Sequence, residues 1–206
     1  SCNAVFAQLG VEMGERFVPA IDAFGLNEAP NLDLAPGAVA SIGLEPGSFA
    51  LNKPSFALAG IGQGPIATTP LQMALVASAI ANGGVVMEPH VAARVDDRSG
   101  RTVMRVRPKE WKQATSPATA RTLTEFMIAV VQNGTGTAAR IPGVTVAGKT
   151  GTAQAPGGPP HAWFIAFAPA EQPQKSKWSG FGMPMWARFY GVPFQLLPMA
   201  KATGGK

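Results

Sequence analysis

One ten-residue segment, GVTVAGKTGT at residues 143–152, matches two catalytic motifs. Its first eight residues read as G-x-x-x-x-G-K-[ST], the loop whose backbone N–H groups hold the phosphates of a nucleotide. Its last four read as K-T-G-T, and K-T-G supplies a lysine and a hydroxyl to one class of serine acyl-transferases. The two interpretations require different flanks, because a phosphate loop follows a buried strand and opens a helix at its lysine.

The flanks favour the acyl-transferase motif. Before the segment the chain reads AARIP, whose proline cannot donate to a sheet ladder. After it, residues 156–160 read PGGPP, which excludes a helix. We therefore predict a strand that begins with the β-like residues 144–147 and ends in the Gly-Lys-Thr-Gly that follows them. A second apolar strand is predicted over residues 162–168. A P-loop nucleotide-binding enzyme stays open as an alternative, with Asp96 as a weak candidate ligand for magnesium.

A second candidate motif, S-x-N, occupies the first three residues of the chain, Ser1 to Asn3. Apolar side chains follow at helical spacing, which predicts an amphipathic helix entered at this motif, with an apolar face formed by Cys2, Phe6, Leu9 and Met13. Serine and asparagine are also common N-caps. The alternative is therefore that Ser1 or Asn3 only caps this helix.

Helix-start signals predict two more helices. Thr69 is the expected N-cap and Pro70 the first residue of a helix that runs to about Ile80, where Asn-Gly-Gly stops it. Ser116 and Pro117 begin the other helix, which ends at the next Asn-Gly. Four apolar residues are predicted to form its buried stripe, namely Leu123, Phe126, Met127 and Val130.

A hairpin is predicted between these two helices, because residues 91–95 and 102–106 flank the turn sequence DDRSG. Arginines alternate with other residues in its second strand, which indicates that Arg101, Arg105 and Arg107 mark a solvated face. Helices and strands together predict a mixed α/β (α+β) fold. The glycine- and proline-rich residues 29–70 are expected to form long loops near the active cleft.

The motifs together resemble the transpeptidase domain of class B penicillin-binding proteins, in particular the actinobacterial penicillin-binding protein A type. The resemblance covers about residues 1–170 and keeps the family's motif order. The matching segments are SCNAVFAQLG at 1–10, FGLN at 24–27, GIGQG at 60–64, TPLQMA at 69–74, NGTGT at 133–137, VAGKTGTAQ at 146–154 and HAWFIA at 161–166.

This resemblance implies the fold shared by penicillin-binding proteins and serine β-lactamases, an antiparallel sheet flanked by helices. It implies a D,D-transpeptidase that crosslinks peptidoglycan stem peptides, reacts with β-lactam antibiotics and uses no cofactor or metal. The full-length family protein is anchored in the bacterial plasma membrane and acts on its extracytoplasmic side. Cell-wall glycosyltransferases are candidate partners there. The G-Q-G and T-P-L-Q segments favour a synthetic enzyme over a β-lactamase.

The family's catalytic roles fall on three residues of this chain. Ser1 would relay a proton toward the leaving amine, and Asn3 would hold a substrate amide. The backbone N–H of Thr152 would be one of two donors to the oxyanion.

Substrate binding is expected at the three residues before Thr152. Lys149 would hold the terminal carboxylate of the substrate by charge, and Thr150 by hydroxyl donation. Gly151 would leave room for the substrate to lie against the strand edge.

The chain departs from the family at the nucleophile. The family's serine lies in S-x-x-K, where the lysine activates the hydroxyl from the next turn of a helix. None of the lysines in these 206 residues has a serine three positions before it. We expect a truncation, with S-x-x-K encoded upstream and the fold incomplete at both ends, so the isolated chain is predicted to be inactive. A non-catalytic scaffold module of the same family is the alternative.

Residues 171–206 are expected to be a divergent tail outside a partial transpeptidase domain at residues 1–170. The tail holds five of the 17 basic residues and one of the 12 acidic ones, so it contributes most of the formal net charge of +5. That charge therefore does not mark a nucleic-acid-binding domain. A frameshift in the coding sequence is one hypothesis for the tail, and a lineage-specific extension is the alternative.

The composition agrees with part of one folded domain. Charged residues make up 14% and hydrophobic residues 46%, which argues against wholesale disorder of the first 170 residues. His90 and His161 lack neighbours at metal-ligand spacing and are interpreted as structural. The single cysteine, Cys2, excludes an internal disulfide. No apolar stretch approaches the roughly 20 residues that span a bilayer.

Overall fold

The computed structural model describes residues 2–33, 43–155, 157–171 and 173. Its helices are α1 (Asn3–Met13), α2 (Phe17–Asp22), α3 (Lys53–Gly60), α4 (Pro70–Ala81) and α5 (Pro117–Asn133). Its strands are β1 (Val85–Met87), β2 (Arg94–Asp96), β3 (Thr102–Arg105), β4 (Glu110–Gln113), β5 (Ala147–Ala153) and β6 (His161–Phe167). Short 3-10 turns lie at Gly14–Arg16, Phe49–Leu51 and Thr137–Ala139.

The described strands form antiparallel pairs, β1 with β4, β2 with β3 and β5 with β6. This mixture of helices and small antiparallel sheets confirms the predicted fold class. The predicted boundary at residue 170 stays a prediction, because residues 174–206 lie outside the described residues.

The central strand begins later than predicted. Val144 forms only an isolated bridge to Ile141 across a tight turn, whereas β5 starts at Ala147, where β6 first offers a partner at Phe167. The strand then continues to Ala153. Gly-Lys-Thr-Gly therefore lies in the strand, as predicted, and pairs with β6 throughout, but the strand ends at Ala153 rather than at Gly151.

Helices α4 and α5 confirm the predicted start signals. The side chain of Thr69 accepts a hydrogen bond from Gln72 N at the start of α4, and the side chain of Ser116 accepts one from Thr119 N at the start of α5. The predicted buried stripe of α5 is only partly correct. Met127 is buried, but Phe126 is 64% exposed, because adjacent residues of a helix point about 100° apart.

One hydrophobic core, which we call the helical region, joins α1, α2 and α3. Phe56 is fully buried at its centre and stacks edge-to-face on Phe17 and Phe49, with ring centroids 6.1 Å and 5.2 Å away. Helices α1 and α3 cross at Gly10 and Gly60, where a Cβ added to Gly10 would lie 2.5 Å from the Phe56 carbonyl oxygen. Close backbone approach therefore makes this contact.

Three residues of the predicted apolar face of α1, Cys2, Phe6 and Leu9, are exposed in the described part of the chain, whereas Met13 is half-buried and packs against the core of the helical region. Phe6 is 43% exposed and Leu9 is 44% exposed, and the buried residue of this helix is Gly10. The prediction was therefore wrong for Cys2, Phe6 and Leu9, because α1 meets α3 through its glycine face. Helical spacing identifies a face but not what covers it.

A second core, which we call the sheet region, joins α4, α5, β5 and β6. Its main cluster places Ala77 and Ile80 of α4 and Met127 of α5 against Ala147 and Phe167 of the sheet. Phe167 is almost fully buried, so this core fixes the strand pair that carries Lys-Thr-Gly-Thr.

The predicted hairpin forms with shorter strands, β2 and β3. Its arginines are exposed, as predicted, but every residue of β3 is exposed on both faces. The alternating pattern therefore does not mark a buried face here. Nothing in the described part of the chain packs against this hairpin closely enough to bury it.

Candidate active site

The predicted substrate-binding residues lie in consecutive positions of β5. Lys149, Thr150, Gly151 and Thr152 pair with Ile165, Phe164, Trp163 and Ala162 of β6. In an antiparallel pair, the N–H and C=O of one residue point to the same edge, and those of the next residue point to the opposite edge. The edge of β5 that faces away from β6 is called the outer edge below.

Two hydrogen bonds with the Gln63 side chain identify which residues of β5 face the outer edge. Gln63 Nε2 donates to Thr152 O at 2.8 Å, and Gln154 N donates to Gln63 Oε1 at 3.1 Å. Thr152 and Gln154 therefore present their backbone groups to the outer edge, and by the same alternation so does Thr150. The Thr152 N–H, the predicted oxyanion donor, lies on this edge.

Lys149 also reaches the outer edge. Its Nζ donates to Thr150 O at 2.6 Å. The side chain is partly buried, and the resulting desolvation lowers the pKa of Lys149 below its usual value of 10.5. The ammonium is therefore a partly desolvated cation held by Thr150 O beside the strand edge, where an anionic group can meet it.

The Thr150 hydroxyl is held by the segment that follows α5. Thr135 Oγ1 and Thr150 Oγ1 are 2.6 Å apart, and either oxygen can donate. Thr135 belongs to the N-G-T-G-T segment, so this motif orients the hydroxyl of the K-T-G motif. The sequence resemblance contained both motifs but did not predict their contact.

The glycines of the strand have close cross-strand neighbours. A Cβ added to Gly148 would lie 2.5 Å from the Phe164 ring, so only glycine allows that ring to pack here. A Cβ added to Gly151 would lie 3.3 Å from Trp163 Cβ. Gly151 is exposed, and its role in leaving room for substrate stays a prediction.

Gln63 was not predicted as a site residue, although the G-Q-G segment gave the signal. Helix α3 ends in a Schellman motif, in which Gln63 N donates to Leu58 O and Gly62 N donates to Ala59 O, each at 2.9 Å. Gly62 has a φ of 71°, which favours glycine. The end of α3 therefore fixes the backbone of Gln63 and directs this residue to β5.

Gln72 forms a comparable contact between two other motifs. This T-P-L-Q side chain is 1% exposed, and its Nε2 donates to Glu28 O at 3.1 Å and to Gly25 O at 3.4 Å. Gly25 belongs to the F-G-L-N turn and has a φ of 78°. The motifs thus work in pairs, each fixing the position of another segment.

The S-x-N motif is only partly visible. Ser1 lies outside the described residues, so its predicted role is untested. Asn3 is the exposed first residue of α1, and within the described part of the chain no hydrogen bond joins its side chain to β5. The capping alternative fails for Asn3, because Cys2 is the N-cap and makes no side-chain capping bond.

The nucleotide-loop alternative does not fit this geometry. Lys149 and Thr150 lie inside a strand, so no helix N-terminus is available at the lysine to hold a phosphate. Among the described residues, no group of three or more histidine, cysteine, aspartate or glutamate side chains is arranged to hold a metal ion. An open cleft of about 550 Å³ lies between the end of α5 and residues 140–146, and none of the predicted site residues lines it.

Comparison with known proteins agrees with the geometry. Residues 1–176 match the family model described as the penicillin binding protein transpeptidase domain. Peptidoglycan D,D-transpeptidase PbpA of Mycolicibacterium smegmatis is 38% identical over 182 residues, covering 84% of this chain and 35% of that protein. PbpA of Mycobacterium tuberculosis is 37% identical over 179 residues, with the same coverage. The chain thus spans about a third of the length of these relatives.

Solved structures of related proteins are also similar to this chain. Penicillin-binding protein A from M. tuberculosis, an imipenem acyl-enzyme complex, superposes with a TM-score of 0.76 at 33% identity, covering 91% of this chain and 40% of that one. The D,D-transpeptidase domain of a peptidoglycan glycosyltransferase from Eggerthella lenta gives 0.72 at 39% identity, covering 82% and 43%. These likenesses confirm the predicted transpeptidase fold.

Proposed function

Because the chain belongs to the penicillin-binding protein transpeptidase-domain family, we propose that it forms one side of the active site of a peptidoglycan D,D-transpeptidase. The observation that supports this most directly is the outer edge of β5. There the Lys149 ammonium lies at Thr150 O, and the backbone of Thr152, two residues further along, faces the same edge. A cation binds the carboxylate and an N–H donor stabilises the oxyanion when a peptide terminus undergoes acyl transfer to a serine.

Lys149 and Thr150 bind the terminal carboxylate of a stem peptide in this proposal. The ammonium supplies charge, and partial burial makes that charge less screened by water than it is at an open surface. The Thr150 hydroxyl, oriented by Thr135, supplies a hydrogen bond. Gly151 lets the peptide lie along the strand.

The chemistry is acyl transfer through a serine of the family's S-x-x-K motif. Its hydroxyl oxygen bonds to the carbonyl carbon of the penultimate D-alanine, and the bond from that carbon to the nitrogen of the last D-alanine breaks. Ser1 relays the proton to the leaving amine while Asn3 holds a substrate amide. An amine of a neighbouring stem then attacks the acyl-enzyme, forms the crosslink and frees the serine. The Thr152 N–H stabilises the oxyanion in both steps.

We also propose β-lactam binding at this site, because a related structure is described as an imipenem acyl-enzyme complex. The proposed location is the extracytoplasmic face of the plasma membrane, with stem peptides as substrate and a cell-wall glycosyltransferase as partner. No helix in the described part of the chain is long and apolar enough to cross a membrane.

Labelling with penicillin, read by intact mass, tests the proposal. The 206 residues contain no S-x-x-K, and loss of a serine nucleophile costs on the order of a millionfold in rate. We therefore expect no adduct on this chain and one penicillin per chain on a form of the protein that carries the motif. An adduct on the 206-residue chain would contradict its predicted inactivity. A form with S-x-x-K that stays unlabelled would contradict the transpeptidase and favour the scaffold module.

A further inference from the structure

We infer that Gln63 is a positioning residue, which fixes the outer edge of β5 so that the Thr152 N–H points at the reacting carbonyl. The inference rests on the proposed function for the role of Thr152. The positioning contact itself rests on two hydrogen bonds between a loop and a strand that are 89 and 91 residues apart in the chain.

The amide of Gln63 replaces a neighbouring strand at one point of the edge. Its donor satisfies Thr152 O and its acceptor satisfies Gln154 N, as the backbone of a paired strand would. On the other edge, β6 continues its pairing to Ala153. Thr152 is thus restrained from both sides, and among the described residues no hydrogen-bond acceptor is seen for its outward-facing N–H, which a ligand can therefore use.

The restraint extends beyond these two hydrogen bonds, because the backbone of Gln63 is itself held in place. The Schellman motif at the end of α3 holds the residue, and α3 is locked to α1 at Gly10 and Gly60. Helix α1 begins at Asn3, the residue expected to hold a substrate amide. The helix pair α1 and α3 therefore carries Asn3 on one side of the cleft and, through Gln63, restrains β5 on the other side.

The position of the contact also defines how much of the edge a ligand can use. Lys149 Nζ lies at Thr150 O, and Gln63 occupies the edge from Thr152 O to Gln154 N. Only about two residues of strand, roughly 7 Å, lie between them. A short peptide terminus fits this length, whereas a long extended peptide would have to displace Gln63.

Amide hydrogen exchange on the 206-residue chain tests the contact without reference to activity. In Gln63→Ala we expect the Gln154 amide to exchange at least tenfold faster, because it loses its acceptor. Gln63→Glu keeps an acceptor oxygen, so Gln154 should stay protected. Gln8→Ala, which removes an exposed side-chain bond to Glu12 on α1, is the matched control and should leave Gln154 unchanged. Unchanged exchange in Gln63→Ala would overturn the inference.

Acylation by penicillin tests the catalytic consequence, in a form of the protein that carries S-x-x-K. Gln63→Ala should lower the acylation rate constant about tenfold to a hundredfold, since loss of an entire oxyanion donor costs about a hundred- to a thousandfold. The dissociation constant of the noncovalent penicillin complex should change little. In Gln63→Glu a carboxylate faces Thr152 O, so acylation should be slow at neutral pH and recover as pH falls toward about 4.3, where the protonated acid imitates the amide.

The outcomes separate this inference from the proposed function. Acylation of Gln63→Ala at the wild-type rate would overturn the positioning role, and faster acylation would show that Gln63 competes with the ligand for the edge. Failure of the wild-type form to acylate would overturn the proposed function instead. Faster Gln154 exchange in Gln63→Ala would still establish the contact between loop and strand.

Discussion

In the helical region, α1 and α3 approach until their backbones touch at two glycines, whereas in the sheet region α4 and α5 lie on β5 and β6 through layers of side chains. The difference is visible at the surface. Val5, Phe6, Leu9 and Leu58 on the two crossing helices are 43% to 52% exposed, because a glycine contact buries little side chain. Backbone contact fixes the angle and distance of two helices, while side-chain layers supply most of the hydrophobic stabilisation.

Two glutamines connect these regions, and each lies in a motif of the family. Gln72 reaches from α4 to the turn after α2, and Gln63 reaches from the end of α3 to β5. The outer edge of β5 therefore contacts both regions. Substitutions that disturb one region or the other should separate their contributions to stability.

The largest expected effect is in the core of the helical region. Phe56→Ala should lower the free energy of unfolding by about 3–5 kcal/mol, because a fully buried aromatic ring is lost and a cavity remains. Phe126→Ala in α5 is the matched control and should change it by no more than about 0.5 kcal/mol, since Phe126 is 64% exposed. Chemical denaturation measures both. Equal losses of stability in the two variants would contradict the assignment of Phe56 as buried and Phe126 as exposed.

The glycine crossing gives the next largest effect. Gly10→Ala should destabilise the chain by about 1–3 kcal/mol, because the new methyl group would lie 2.5 Å from the Phe56 carbonyl oxygen and force the helices apart. Helix propensity alone predicts the opposite sign, a gain of up to about 1 kcal/mol. Gly158→Ala, where no described atom lies within 4 Å of the added group, serves as control. Stabilisation by Gly10→Ala would show that backbone contact does not hold these helices.

Substitutions at the helix N-caps should change stability by smaller amounts, which also differ between the two regions. Thr69→Ala should cost about 1 kcal/mol, because the side chain of Thr69 accepts from Gln72 N at the start of α4. Cys2 is the N-cap of α1, has extended backbone angles and makes no capping bond, so Cys2→Ser should gain about 0.5 kcal/mol over Cys2→Ala. Thermal unfolding compares the variants. A loss in Cys2→Ser would mean that α1 begins elsewhere.

The smallest expected effect is the pH dependence from Lys149. Burial lowers its pKa in the folded chain below 10.5, so between the folded-state pKa and 10.5 the unfolded chain binds more protons. The free energy of unfolding of the wild type should therefore rise with pH in that range, relative to Lys149→Met. Solvent screening keeps the change small, because the side chain is only partly buried. Lys109→Met, which removes an exposed ion pair with Glu88, is the charge-matched control. If the free energy of unfolding of the wild type instead fell with pH relative to Lys149→Met, that would contradict a lowered pKa of Lys149.

Local signals predicted the parts of the fold that depend on neighbouring residues. Thr69-Pro70 and Ser116-Pro117 give both the starts and the caps of α4 and α5, because a cap is a contact across three residues. The hairpin of β2 and β3 follows from its turn sequence in the same way.

Contacts between distant segments could not be predicted in this way. The late start of β5 depends on where β6 ends, and the exposure of Phe6 depends on which face of α1 meets α3. Helix α3 lies within the glycine- and proline-rich residues that were predicted to form loops. The contact of Gln63 with β5 joins two motifs that the resemblance identified separately, and only the fold brings them together.

The proposed role of Lys149 in binding the substrate carboxylate is tested by two substrates that differ only at the terminus. In a form of the protein that carries S-x-x-K, acyl transfer is measured from a peptide ending in D-alanyl-D-alanine and from the same peptide with a terminal carboxamide, in wild type and in Lys149→Met. Wild type should prefer the carboxylate by at least about tenfold, since a charge-assisted hydrogen bond is worth about 1.5–3 kcal/mol. That preference should disappear in Lys149→Met and persist in Lys109→Met. A preference that survives in Lys149→Met would contradict the assignment of the outer edge of β5 as the carboxylate-binding edge.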